Sequence, residues 1–193
     1  MTSLNSGEDL PICFVISPIG KEGSVRRQKA DDAFWVFAQA AKRSGFQARR
    51  ADHSINPGMV TPDVVEYILT SPMVIADLSE SNPNVYYELS IRHVAQLPTV
   101  HVMHQGVELE TELPFDLKDT SLVRYNTSHR LASKSIKEIS KYLKEAKRKS
   151  TNTENVLTPI MQRLGTSLIL PKVSVAPDKT VLYNSSFTPP IFR

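Results

Sequence analysis

Met73-Val74-Ile75-Ala76-Asp77-Leu78-Ser79-Glu80-Ser81-Asn82-Pro83 is the stretch whose reading decides the fold. Its first four residues form a short apolar run of the kind found in strands buried on both faces, and Asp77 ends it. Asn82-Pro83 then supplies a helix N-cap and a proline for the first turn, so a helix is expected through Glu88 to about Gln96. A buried strand passing through a polar turn into a helix is the unit from which open α/β sheets are built.

The same unit recurs on either side. Upstream, Ile12-Cys13-Phe14-Val15-Ile16 reads as a buried strand stopped by Ser17-Pro18-Ile19-Gly20. Between Ser24 and Ser44, Ala30, Ala33, Phe34, Phe37 and Ala41 recur at helical spacing, and Gly45 stands where a C-terminal cap belongs. Phe46 to Ala51 can form a second strand, Asn56-Pro57-Gly58 a turn, and Thr61-Pro62-Asp63 opens a helix to about Leu69. Downstream, Pro98 to Met103 reads as a fourth strand and Leu122 to Tyr125 as a fifth. Leu131, Ser135, Ile139, Tyr142 and Ala146 line one face of a closing helix.

This alternation predicts an α/β domain over residues 1–149, with a parallel sheet of about five strands and helices on both faces. Ligands of such sheets sit beyond the carboxyl ends of the strands. Residues 150–193 break the pattern with Pro159, Pro171, Pro177, Pro189 and Pro190. This tail is open to three readings: no fixed structure, a wrap around the domain, or added strands such as Leu168-Ile169-Leu170 and Thr180-Val181-Leu182-Tyr183 on a neighbouring subunit.

Hydrophobic residues make up 40% and charged residues 22% of the 193, a soluble globular balance that excludes wholesale disorder. No apolar run nears the ~20 residues of a membrane span. Met1 to Asp9 lacks the layout of a signal peptide, so a cytoplasmic protein is expected, in which the sequons at Asn126 and Asn184 carry no meaning. The single cysteine, Cys13, excludes a disulfide framework and a Cys-based zinc site within one chain and should pack as a small hydrophobe. Of the net charge of +3, the stretch Arg130 to Lys149 carries +6, from eight Lys or Arg against Glu138 and Glu145, leaving the remainder at −3. Tyr142 is the only aromatic interleaved there, and the helix's apolar stripe is needed for docking. A solvated face is therefore favoured over a nucleic-acid contact, and neither a nucleic acid nor a membrane is expected as partner.

Chemistry-bearing residues concentrate at the strand ends. The Ser17 to Ser24 loop, with Gly20 and Gly23 ahead of a helix, either presents N–H groups to an anion or is an ordinary turn, and it matches neither a Walker loop nor G-x-G-x-x-G. Asp77 stands where a carboxylate accepts from sugar hydroxyls or simply orders the next loop. Glu88 falls in the second turn of its helix beside Tyr86 and Tyr87, where partial burial would raise its pKa and where it can face the cleft. Arg26, Arg27, Arg50 and Asp52 belong to the same rim, where an arginine could hold a phosphate, although Arg26 and Arg27 have Asp31 and Asp32 as alternative partners on the helix surface. His93 lies about 140° round the helix from Glu88 and reads as structural or exposed. His101-x-x-His104 straddles a strand end, so no metal is expected. Trp35 reads as core or as a subunit contact.

Three segments together carry a family resemblance: Cys13 to Gly20, Arg49-Arg50-Ala51-Asp52, and Val74 to Leu89 with its Asn82-Pro83-Asn84-Val85-Tyr86-Tyr87-Glu88-Leu89 string. Over roughly residues 12–103 the chain resembles the nucleoside 2-deoxyribosyltransferase-like and TIR-like group. The resemblance implies a flavodoxin-like (TIR-like) sheet and cleavage of an N-glycosidic bond of NAD, a nucleoside or a nucleotide, with NAD or nucleotide as substrate and no cofactor. It implies Glu88 as nucleophile or oxocarbenium stabiliser, with Asp77 completing the catalytic pair. Ser17, Pro18, Ile19, Gly20, Ser24, Arg50, Asp52, Ser79, Asn82 and Asn84 would hold substrate. It also implies a homo-oligomer, an activating partner and a role as an antiphage defence effector. TIR domains usually carry Trp-Cys where this chain has Tyr86-Tyr87, and deoxyribosyltransferases often carry Gly-Thr-x-x-Glu, so both substrate classes stay open. The competing account is a nucleotide-sensing or scaffold module that uses the same cleft without chemistry.

Overall fold

The computed structural model describes residues 10–53, 62–107, 117, 121–149 and 163. Five strands alternate with helices: β1 (Ile12–Ile16), α1 (Val25–Arg43), β2 (Gln47–Arg50), a short 3-10 turn (Ala51–His53), α2 (Pro62–Thr70), β3 (Met73–Asp77), α3 (Pro83–Val94), β4 (Thr99–His104), β5 (Leu122–Tyr125) and α4 (His129–Lys149). The expected turn at Asn56-Pro57-Gly58, the Thr61 cap and the two tail strands lie outside the described residues.

All pairings are parallel and the order is β2-β1-β3-β4-β5, the flavodoxin-like arrangement. The central strands are the apolar runs of the sequence, with every residue of β3 and all but the last of β4 buried. The edge strands β2 and β5 are only partly buried. The pleat sorts each strand between two cores. Cys13, Val15, Met73, Ile75, Val100 and Val102 face α1 and α4, while Phe14, Ile16, Val74, Ala76 and Met103 face α2 and α3. Cys13 is fully buried and behaves as the small hydrophobe expected.

Small residues let α1 and α4 approach closely: Ser44 Oγ donates to the Ser140 carbonyl and Ser140 Oγ to the Ala40 carbonyl, each at 3.2 Å. Helix α1 starts on the Ser24 cap and ends with Gly45 at φ +79°, whose N–H reaches the Lys42 carbonyl at 3.2 Å. Two expectations need correction. The docked face of α4 is centred on Ala132, Ile136, Ile139 and Leu143 rather than on Leu131, which is 40% exposed, because packing into the α1–sheet groove selects the neighbouring row of the helix. Trp35 is 54% exposed, so its core reading fails. No helix among the described residues is long and apolar enough to cross a membrane.

Arg92 is a fastening the sequence did not announce. It is fully buried, and its guanidinium donates to the Ile68 carbonyl at 2.5 Å and the Pro98 carbonyl at 2.9 Å, tying the last turn of α2 to the residue before β4. Burial lowers its pKa to about 9. Arg92→Ala takes this donor from the buried Ile68 carbonyl, leaves the Pro98 carbonyl with the Val74 N–H at 3.2 Å, and is expected to cost about 3 kcal/mol with the lost packing, read as a lower urea midpoint at unchanged m-value.

Candidate active site

Strand order places the topological switch between β1 and β3, because the chain leaves β1 toward β2 in one direction and returns past it to β3 in the other. The loops after these two strands therefore flank one crevice, and an ion pair between Arg26 of α1 and Glu80 of the β3–α3 loop links their two sides. In the first loop, Gly20 has φ +76°, and a Cβ there would come within 2.9 Å of the Arg27 backbone nitrogen. Only glycine lets the loop lie this close to α1. Ser24 caps α1 by accepting from the Arg27 N–H at 3.1 Å, and its own hydroxyl donates to the Lys21 carbonyl at 2.6 Å. Ser17 Oγ, at the start of this loop, is buried with no hydrogen-bond partner among the described residues.

The second loop is built on Asp77. The Ser79 N–H donates to Asp77 Oδ1 at 3.1 Å, the Ser79 hydroxyl donates to the same oxygen, and Tyr125 Oη donates to Oδ2 at 2.8 Å. Ser79 Oγ in turn accepts from the His104 N–H at 2.8 Å. One network thus ties the carboxyl ends of β3, β4 and β5 together. Burial pushes the Asp77 carboxyl up to about 6 even though the bonds from Ser79 and Tyr125 pull it down. Three protein donors occupy most of the roughly four acceptor positions of this carboxylate. Asp77 thereby acts as the keystone of the loop. In the sequence Tyr125 reads only as the end of a fifth strand; its place opposite His104, and so its bond to Asp77, follows from the β4–β5 register, which local sequence does not encode.

Asn82 caps α3 by accepting from the Asn84 N–H at 2.9 Å, with Pro83 in the first turn. Glu88 comes one turn after Asn84 and shares its helix face. Val85 and Leu89 on the other face are buried in the sheet core. Glu88 is half-buried and makes no hydrogen bond or ion pair among the described residues. Burial alone pushes its carboxyl up to about 7. Tyr87 beside it is 61% exposed.

Arg50 ends the edge strand β2, Asp52 follows in the 3-10 turn, and both join Arg27 in the first turn of α1. Arg50 is 2% exposed, and its guanidinium reaches Asp52 at 2.6 Å, Asp31 at 2.5 Å and the Ala30 carbonyl at 2.9 Å. Arg27 closes the cluster on Asp52 at 2.6 Å and Asp31 at 3.0 Å. The expected Arg27–Asp31 pair is present, whereas Arg26 reaches across to Glu80 because it points toward the crevice rather than along the helix. His93 is buried, its Nε2 2.9 Å from that of His101, so one ring N–H donates to the other ring nitrogen; burial lowers His93 to about 4 and His101 to about 3. Among the described residues no group of three or more His, Cys, Asp or Glu is arranged to hold a metal ion.

The sequence matches no family model and no curated protein.

Proposed function

We propose that this protein cleaves an N-glycosidic bond of NAD or of a nucleoside or nucleotide, with Glu88 as the reacting carboxylate. The observation that carries the reading is Glu88 itself: a half-buried carboxyl that has no hydrogen-bond or ion-pair partner among the described residues, on the helix that follows β3 at the switch crevice. Ion-paired surface glutamates have no such profile, and a carboxyl held near pH 7 by burial is characteristic of reacting groups. In the proposed step the ionised Glu88 attacks C1′ of the sugar, or stabilises its oxocarbenium ion, as the C1′–N bond breaks and its electron pair leaves on the base. Nicotinamide then departs neutral, while a nucleobase anion takes up a proton from solvent. Water, or a second base, takes the sugar from the carboxylate. The Asp77–Ser79–Tyr125 network holds the crevice floor in shape, and Ser17 Oγ, without a hydrogen-bond partner among the described residues, is a donor the loop after β1 can offer to ribose or phosphate.

The test is chromatographic detection of free base after incubating the protein with NAD and a panel of nucleosides and nucleotides at several protein concentrations. Base released by wild type and not by Glu88→Gln supports the reading and names the substrate class, whereas release that survives the substitution overturns it. The pH profile distinguishes roles. Because the carboxylate form reacts, the rate should rise along an acid limb with an apparent pKa near 7; a rate that instead falls through this range would make Glu88 a proton donor.

A second reading, a nucleotide-sensing scaffold, is favoured by the exposed aromatic side chains of Trp35 and Tyr87, which suit assembly surfaces. It predicts substrate binding without base release.

A further inference from the structure

The outward face of α4 carries a straight line of cations. Arg130, Lys134, Lys137, Lys141, Lys144 and Arg148 follow one another at steps of three or four residues, and all six are exposed. By the 3.6-residue repeat their directions fall within about 80° of one another and about 150° from the buried row of Ala132, Ile136, Ile139 and Leu143. At 1.5 Å per residue the line is about 27 Å long. None of the six has an ion-pair or hydrogen-bond partner among the described residues. The remaining cations of the helix are occupied: Lys147 lies 4.9 Å over the Phe46 ring, and Lys149 pairs with Glu145 at 3.3 Å. Glu138 and Glu145 fall to one side of the line. Complementing the helix dipole would place cations in the last turn only, whereas this line runs the whole length.

We infer that this face binds the sugar–phosphate backbone of a nucleic acid, by charge and without reading sequence. A duplex carries one negative charge per ~1.7 Å of axis, so a ~27 Å line lies along about eight phosphates of one strand. Four of the six cations are lysines, point charges that neutralise phosphate without the planar fork that reads base edges. A lipid surface suits the helix less, because an interfacial helix buries its apolar face in the bilayer and α4 has spent that face on the sheet and α1. An acidic protein partner would want an aromatic or aliphatic anchor, and the line contains none. Read along the chain, the need to dock α4 counted against a nucleic-acid role. In space the docking row and the cation line occupy opposite faces, so one does not preclude the other.

The test is fluorescence anisotropy of a labelled mixed-sequence duplex and single strand titrated with the full chain over a range of salt concentrations. Binding at low salt is expected, with log K falling against log[salt] at a slope of about −4 to −5 for duplex DNA. Lys137→Gln/Lys141→Gln/Lys144→Gln should lower affinity at least ~10-fold and flatten the slope by about 2 to 3, while the corresponding triple Arg variant retains both. Should the triple Gln variant fail to fold by circular dichroism, single Gln variants give the same reading at a slope change of about 1 each. No binding at low salt overturns the inference. So do an unchanged slope in the Gln variants, and binding to vesicles of anionic lipid without binding to nucleic acid. Base release lies outside this face, so the Gln variants should retain whatever activity the wild type has.

Discussion

Glu88→Gln is expected to lower base release ~1,000-fold or more while making the folded protein more stable above pH 7. The two effects have one cause. In the folded chain burial holds the carboxyl near 7, whereas in the unfolded chain it returns to its ordinary value of 4.5. Below pH 4.5 both states are protonated and the group contributes nothing. Between 4.5 and 7 the unfolded chain ionises first, so wild-type stability falls as pH rises, and above 7 the full penalty stands. The amide of glutamine carries no charge to desolvate. The variant should therefore match wild type at pH 4 and exceed it at pH 8 by an amount of order 1–3 kcal/mol, read from urea unfolding at both pH values. A stabilising substitution that abolishes turnover is the expected signature of a carboxylate kept under strain for chemistry. A surface glutamate would give neither effect, and a glutamate with a hidden structural partner would give destabilisation.

Glu88 was legible in advance because everything that places it is local: the β3 run, the Asn82-Pro83 cap and the count of residues into the helix. The five strands and the helices around them were legible for the same reason, since apolar period and cap chemistry act over a few residues. What escaped was set by pairings distant in sequence. Tyr125 completes the Asp77 network only because β5 lies beside β4 in register with it. Arg92 reaches carbonyls 24 and 6 residues away, and no motif marks a buried guanidinium that serves main-chain oxygens. On α4 the expected Ser135 and Ile139 are buried and Tyr142 and Ala146 pack against the core, but Leu131 falls outside, because the groove between α1 and the sheet centres the docked face on Ala132, Ile136, Ile139 and Leu143. Arg50 was the hardest to place, since an arginine at a strand end reads equally well as a phosphate clamp and as half of an ion pair.

Arg50→Leu is expected to destabilise the protein by about 3 kcal/mol, most of which Arg50→Leu/Asp52→Leu should restore. The single change leaves the Asp52 side chain, 3% exposed, with Arg27 as its guanidinium partner, and removes the donor to the Ala30 carbonyl. Two arginines and two aspartates make the cluster neutral, so deleting one cation leaves a buried net negative charge. Removing Asp52 as well restores neutrality, with Arg27 and Asp31 still paired across one helical turn at 3.0 Å. The difference between the double variant and the summed singles, about 2 kcal/mol, measures the coupling. The same variants decide between the two readings of Arg50. Were its guanidinium a phosphate clamp, the double variant would recover stability and still show a raised KM for NAD and nucleotides, with nucleosides unaffected. Because its donors are spent on Asp31, Asp52 and a carbonyl, KM should move with none of these substrates once the fold is restored.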